Sequence, residues 1–321
     1  GERVLVVCAD PADVPRLAQE MPWFEPKLDV RPLPDWETLP YDVLSPQEEL
    51  VSERLEALYR LTAPTGGADV LLTSAVTASQ RLSPVSYIGA NTFFFHQGEQ
   101  ISLTTLQKRL AAAGYANVKQ VLAAGEFAVR GSIVDVFPMG SERPFRLDFF
   151  DDEIESIRWF DVDTQRSMES AEEIRLLPGH EFPVDPEALL AFRQRWRREF
   201  AGDPKKSIVY CDIEKEILPP GIEYYLPLFF DETAALTDYL PPNARVFLLG
   251  DIEAALQAFG RDMASRYKVL AADPQRPALA PERIWLKPEE FFKSLANFAR
   301  FTVEKKENAE DLKRLSGIED R

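Results

Sequence analysis

The chain has 321 residues, 45% of them hydrophobic and 28% charged, with 53 acidic against 37 basic side chains and a formal net charge of -16. That composition is ordinary for a globular protein, and the length allows two domains with a sizeable core. The acidic balance repels phosphate backbones, which argues against a general nucleic-acid binder and leaves room only for a local basic patch. No run approaches the ~18 apolar residues that a membrane span needs. The first residues lack the basic start and cleavage site of a secretory signal, so the expected localisation is cytoplasmic.

In chain order, Val4–Ala9 is a short apolar run of the kind that forms a buried parallel strand. A chain that opens on such a strand is expected to lack residues upstream. Asp10 is expected to cap a helix with Pro11 at its first position. A second strand is expected over Leu28–Leu33. Pro34–Asp42, PDWETLPYD, reads as a loop, and Ser45-Pro46-Gln47-Glu48 as a capping box that opens a helix to about Leu61. Val51, Leu55, Leu58 and Leu61 carry the helical spacing, and Gly66-Gly67 closes the unit. Val70–Thr73 is the next buried strand, with Ser74 capping a short helix to Leu82. Repeated strand–helix units of this length imply a parallel sheet.

After Pro84 the period changes. Thr92–His96 is strand-like, and Leu103, Leu106 and Leu110 mark a helix stopped by Gly114. Strands follow at Glu126–Phe137, Arg143–Phe150, Glu153–Asp161 and Glu173–Leu177, with Asp151-Asp152 as a tight turn. This predicts an antiparallel sheet with one helix, inserted within an α/β chain. From Pro183 the pattern is mostly helical. Asp185 and Pro186 open a helix with Leu189, Phe192, Trp196 and Phe200 on one face, Ile208–Cys211 is a strand-like run, and Pro219–Phe230 is irregular. Val246–Leu249 is again a buried strand, followed by a helix from about Glu253. Ile284–Leu286 and Glu289–Phe298 read as a last strand and helix, before a charged tail beyond Lys305.

The chemistry is sparse. Cys8 and Cys211 lie in apolar strand-like runs and read as buried free thiols of a reducing compartment. His96 and His180 stand far apart with no cysteine near either, which suits neither a zinc site nor a nucleophilic triad. No G-x-x-x-x-G-K-[ST] and no G-x-G-x-x-G after a strand occurs, so the backbone amides and lysine that hold a nucleotide's phosphates are missing from the sequence. Asp251 and Glu253 are separated by Ile252, and Asp251 reads better as a helix cap than as half of a magnesium-binding pair. No catalytic residue, cofactor or metal is assigned. The helix carrying Arg193, Arg195, Arg197 and Arg198 fits either a DNA patch or a solvated face, with the solvated face favoured.

The informative segment is Gly125–Phe160, GEFAVRGSIVDVFPMGSERPFRLDFFDDEIESIRWF. Strand alternation puts Leu147 and Phe149 on one face and Arg146, Asp148 and Phe150 on the other. In the neighbouring strand Phe127 and Val129 face one side, Ala128 and Arg130 the other. With the first face in the core, the second offers an apolar ring rimmed by arginines, as at an interface anchor. The bland alternative packs Phe150 under the hairpin and pairs the arginines with Asp148, Asp151 or Asp152.

PDWETLPYD, the Gly125–Phe160 segment and LPPGIEYYLPLFF (Leu218–Phe230) resemble the N-terminal, UvrB-like module of the bacterial transcription-repair coupling factor family, over nearly the whole chain and more weakly after about Val303. The resemblance implies an α/β, degenerate P-loop-NTPase-like parallel sheet with helices, an inserted α+β antiparallel-sheet domain and a small helical domain. It implies domain 1A over 1–92, domain 2 over 93–178, domain 1B over 179–242, the rest of 1A over 243–303, and a charged tail over 304–321.

It further implies that domain 2 binds UvrA, the damage-recognition ATPase of nucleotide excision repair. The interface positions it carries over are Arg130 in the A-x-R-G strand, Arg146 and Phe150 in R-L-D-F-F, and Asp148 as an acidic interface position. The C-terminal domain of the same full-length protein is implied as a masking partner, and RNA polymerase and DNA as partners of domains outside this chain. The chain also departs from UvrB. Tyr41–Pro46 runs almost straight into the next helix, leaving no DNA-clamping aromatic hairpin, and UvrB's D-E-S-H motif is broken near Gly250–Glu253. The expected function is a non-catalytic adaptor of transcription-coupled repair in a parent translocase. The rivals are a working ATPase or DNA helicase and a purely intramolecular autoinhibitory domain.

Overall fold

The computed structural model describes residues 3–63 and 69–304. Gly66-Gly67 and the tail from Lys305 onward lie outside the described residues. The first unit runs β1 (Val4–Cys8), α1 (Asp13–Phe24), β2 (Val30–Pro32), α2 (Glu48–Thr62), β3 (Val70–Ser74), α3 (Ala75–Ser79) and α4 (Val85–Ala90). The chain returns to the same sheet as β12 (Arg245–Leu249), continues as α8 (Ile252–Leu270), α9 (Pro281–Ile284) and α10 (Pro288–Ser294), and ends on β13 (Ala299–Val303).

These strands form one parallel sheet in the order β13-β12-β1-β3-β2. β1 sits at its centre because VLVVC has apolar side chains for both faces, whereas β2 carries Pro32, which lacks a ladder donor and belongs at an edge. Helix α2 covers one face through Val51, Leu55, Leu58 and Leu61. Each such burial contributes roughly 2 kcal/mol.

Several local expectations are corrected. Asp10 does not cap a helix: its carboxylate accepts from the Ala12 amide in a turn, and α1 begins at Asp13. Ser45 does not close a capping box either. Its hydroxyl donates to Glu223 (2.8 Å) and accepts from the Gly221 amide (3.0 Å), stapling the 41–46 loop to a distant segment. Gly221 is needed there, since φ is +77° and a Cβ would lie 2.6 Å from the Asp42 carbonyl oxygen. Ile208–Cys211 is helical: Ser207 caps α7 (Ile208–Glu214) by accepting from the Tyr210 amide, and Val209, Tyr210 and Ile213 are buried. The β-branched run suggests a strand, and tertiary packing overrides it. Cys211 is consequently only partly buried, whereas Cys8 is fully buried. Trp285 makes a single bridge to Gln80 in place of the expected strand, and β13 forms between the expected helix and tail, where no element was expected.

Between β3 and β12 the chain leaves the parallel sheet. A two-stranded ribbon pairs β4 (Phe93–His96) with β11 (Glu173–Leu176). It brackets α5 (Leu103–Ala112) and a six-stranded sheet of order β10-β9-β8-β7-β6-β5. The strands are β5 (Ala116–Asn117), β6 (Glu126–Arg130), β7 (Ile133–Val136), β8 (Phe145–Phe150), β9 (Glu153–Phe160) and β10 (Ser167–Ala171). All its pairings are antiparallel except β5 with β6. α6 (Pro186–Glu199) then builds a helical unit with α7 around an aromatic core of Trp36, Phe182, Phe192, Trp196, Tyr210 and Phe229.

A buried ion pair lies where the units meet. Arg54 on α2 is completely buried and donates to Glu181, 2.5 Å away, in the segment that leads from β11 into α6. The same guanidinium donates to the Pro34 carbonyl (2.7 Å) and lies 5.4 Å from the Trp36 ring centroid. Replacing Arg54 with Ala would strand the Glu181 carboxylate in the interior, with an expected loss of about 3–5 kcal/mol of stability. Urea unfolding followed by intrinsic tryptophan fluorescence reads this as a lower midpoint.

Candidate docking surface

The inserted sheet has one buried face and one that is covered by Val118 and Val121 around Ala128 and Phe160 and open towards Phe150, and β8 shows the division most clearly. Phe145, Leu147 and Phe149 are buried, Arg146 and Asp148 are half-buried, and Phe150 is 68% exposed. The inner side chains pack with Phe127, Val134, Ile154 and Ile157. β9 follows Phe150 through Asp151, whose φ of +50° is a left-handed turn conformation that Asp tolerates. A register shift between Asp148 and Phe149 keeps Ile154 and Ile157 both in the core.

The open face is organised by a residue that strand alternation does not mark. Asp135, on β7, is fully buried. It lies opposite Arg146 in the ladder, and its two carboxylate oxygens accept from Arg146 at 2.7 and 2.9 Å. Arg130 donates to the same carboxylate. The Arg146 guanidinium also donates to the Gln165 carbonyl and the Ser167 hydroxyl, both at 3.2 Å, and lies 5.0 Å from the Phe160 ring centroid. The hydrogen bond to Asp135 holds the Arg146 pKa above its ordinary value.

Both arginines are therefore internally paired, but with Asp135 rather than with Asp148, Asp151 or Asp152. Asp148 is engaged elsewhere, accepting from the Ser156 hydroxyl at 2.8 Å. The four expected residues Arg130, Arg146, Asp148 and Phe150 come together on one face of adjacent strands. Only Phe150 among them is left without a partner for its side chain in the contacts of this sheet, and the arginines are held in fixed positions beside it. The signal for Asp135 lies in the sequence as an acidic residue within the apolar run SIVDVF, where an unpaired charge would be costly.

The other candidates resolve into structural roles. Asp251 caps α8 by accepting from the Ala254 amide at 2.9 Å. Arg195 pairs with Asp231 (2.6 Å), Arg193 with Glu214 (3.6 Å), and Arg197 lies over the Tyr210 ring, so three of the four arginines of α6 serve packing. His180 stacks on Phe182, and burial pushes its pKa down to about 4, which keeps it neutral at pH 7. Among the described residues there is no cluster of His, Cys, Asp and Glu able to hold a metal ion, and no helix is long and apolar enough to cross a membrane.

The molecule is thus an α/β scaffold with an inserted antiparallel sheet that offers a charged, ring-bearing face. Residues 93–182 match the family described as the UvrB interaction domain. The chain is 42% identical to a transcription-repair-coupling factor of Escherichia coli (strain K12) over 92% of its own length and 26% of the relative's. It is 44% identical to that of Haemophilus influenzae over 85% of the chain and 24% of the relative, and 32% identical to that of Bacillus subtilis (strain 168) over 62% and 18%. The chain belongs to the transcription-repair coupling factor family, as its UvrB-like N-terminal module, and spans about a quarter of the length of the curated relatives it matches.

Asp135→Asn removes the charge that two guanidinium groups share, and it is expected to lower the stability of the module by about 3 kcal/mol. The check is a chemical-unfolding midpoint. An unchanged midpoint would mean that solvent, not Asp135, holds the two arginines.

Proposed function

We propose that the module is a docking adaptor for UvrA in transcription-coupled nucleotide excision repair, with residues 93–178 as the docking domain. Phe150 serves as the apolar anchor, Arg130 and Arg146 as guanidinium groups aimed by Asp135, and Asp148 as an acidic contact. The observation that carries this reading is the exposure of Phe150 beside two arginines held in place from beneath. An exposed aromatic ring costs free energy in water, and framed by ordered polar groups it has the make-up of an interface hot spot. The similarity of residues 93–182 to the UvrB interaction domain supports the same domain as the docking element.

The module itself is non-catalytic in this reading. Asp251, the nearest candidate for a magnesium-binding acid, is occupied as a helix cap. Translocation on DNA and contact with RNA polymerase are assigned to other parts of the parent protein, and its C-terminal domain to covering this face in the resting state. A working ATPase module would instead bind nucleotide.

Phe150→Ala is the clean test, because the ring is largely solvent-exposed and its loss leaves no cavity. A charge reversal at Arg146 is less discriminating, since it would press a second carboxylate against Asp135. Removing the Phe150 anchor is expected to cost ~2 kcal/mol or more, roughly 30-fold in the Kd for purified UvrA, with an unchanged thermal midpoint. An unaltered Kd in calorimetry would remove the basis for the assignment, and micromolar ATP binding by the module would favour the ATPase reading.

A further inference from the structure

Arg158 on β9 occupies the same open face and has no assigned role. It lies directly across the ladder from Arg146 on one side and Ser170 on the other, in the row Ala128, Asp135, Arg146, Arg158 and Ser170. Alternation along β9 fixes its direction: Ser156, which reaches Asp148, and Phe160, which lies under Arg146, flank it at two-residue spacing on the same side. The side chain is exposed.

The charge arrangement around it is unbalanced. Asp135 is shared by Arg130 and Arg146, so one carboxylate serves two guanidinium groups. The next carboxylate on this face, Asp148, accepts from Ser156. The remaining arginines of the sheet and ribbon that make ion pairs are Arg143, with Glu169, and Arg175, with Glu56. Arg158 makes no ion pair or hydrogen bond with its side chain among the described residues. Like charges directly opposite one another in an antiparallel pair are unfavourable. The cross-strand neighbours Arg146 and Arg158 therefore hold a cation-rich spot on a chain whose net charge is -16. An unsatisfied guanidinium next to a carboxylate-poor row is complementary to an acid from outside.

We infer that Arg158 is a further docking residue, which receives a carboxylate of the partner's surface four residues' length, ~13 Å, from the Phe150 anchor. This rests on the docking reading, and it adds the chemistry of the contact: the surface that meets β8 and β9 is apolar opposite Phe150 and acidic opposite Arg158. The face is continuous, so one partner covers both. A duplex DNA backbone is the other anion that would suit a guanidinium, but it offers no apolar contact for Phe150.

The test compares Arg158→Ala, Arg158→Glu and Phe150→Ala with the unaltered module in titrations of purified UvrA at about 50 and 300 mM salt. Arg158→Ala is expected to weaken binding about fivefold at low salt and to flatten the salt dependence, and Arg158→Glu to weaken it further, mostly through the association rate. Thermal midpoints of both variants should be no lower than that of the unaltered module, since the side chain is solvated and its loss relieves the repulsion from Arg146. If Phe150→Ala weakens binding while both Arg158 variants bind normally with an unchanged salt slope, this inference falls and the docking reading stands. If none of the three variants alters binding, the docking reading falls with it. Loss of affinity for a duplex DNA fragment, with UvrA binding intact, would overturn the inference in favour of a nucleic-acid contact.

Discussion

The arrangement of the molecule depends on the buried pair between Arg54 and Glu181. An α/β sheet, an inserted antiparallel sheet and a helical unit are strung on one chain; their apolar cores run into one another, and the buried pair adds a directional contact where the three meet. Arg54 reaches from α2 to the segment that joins the second unit to the third, to the carbonyl of Pro34 and to the ring of Trp36. Two charges out of water are tolerated only when their geometry is good and their remaining donors are used. The arrangement in which all these contacts are made is thereby distinguished from any other relative placement. Neighbouring bonds reinforce it: Tyr87 donates to the His180 carbonyl, Tyr115 to that of Leu177, and Arg175 pairs with Glu56 on α2.

The same physical device recurs at the candidate site. Asp135 is a second buried acid, and like Glu181 it is tolerated because arginines satisfy it. The difference lies in what the arginines do next. Arg54 is wholly enclosed, so its pairing serves architecture alone, whereas Arg130 and Arg146 keep part of their surface in water beside Phe150. Immobilising a long flexible cation before a partner arrives removes part of the ordering cost of association. A buried carboxylate under a half-exposed guanidinium thus joins stability of the sheet to readiness of its face. It also explains why substitutions at Arg146 and at Phe150 differ in kind: one disturbs the sheet, the other only its surface.

The elements with strong periodicity are legible in the residue pattern alone. β1, α2, β3, α5, β8, β9, α6 and β12 fall where apolar spacing and caps place them, because a residue pattern that suits one face of a helix or strand suits little else. The exposed edge strands β10 and β13 are not: SMESA carries no apolar alternation, and ARFTV is too short and too exposed to stand out, so both exist through pairing with a neighbour. α7 departs from its composition because IVYC has strand-like side chains, and only burial of Val209, Tyr210 and Ile213 against the aromatic core decides for a helix. Ser45 has the composition of a cap, yet its hydroxyl meets Gly221 and Glu223, 176 and 178 residues away, instead.

By itself the sequence determined the fold class, the insertion of an antiparallel sheet into a parallel one, and the shared face of Arg146, Asp148 and Phe150. These follow from periods of two and 3.6 residues, which are properties of a local stretch of chain. Tertiary structure alone decided who neutralises whom. Asp135 lies 11 residues from Arg146 and five from Arg130, Arg158 stands opposite Arg146, and Arg54 meets Glu181 across 127 residues. Charge pairing depends on distance in space and on the loss of water around both groups, and neither is written in the spacing of residues along the chain.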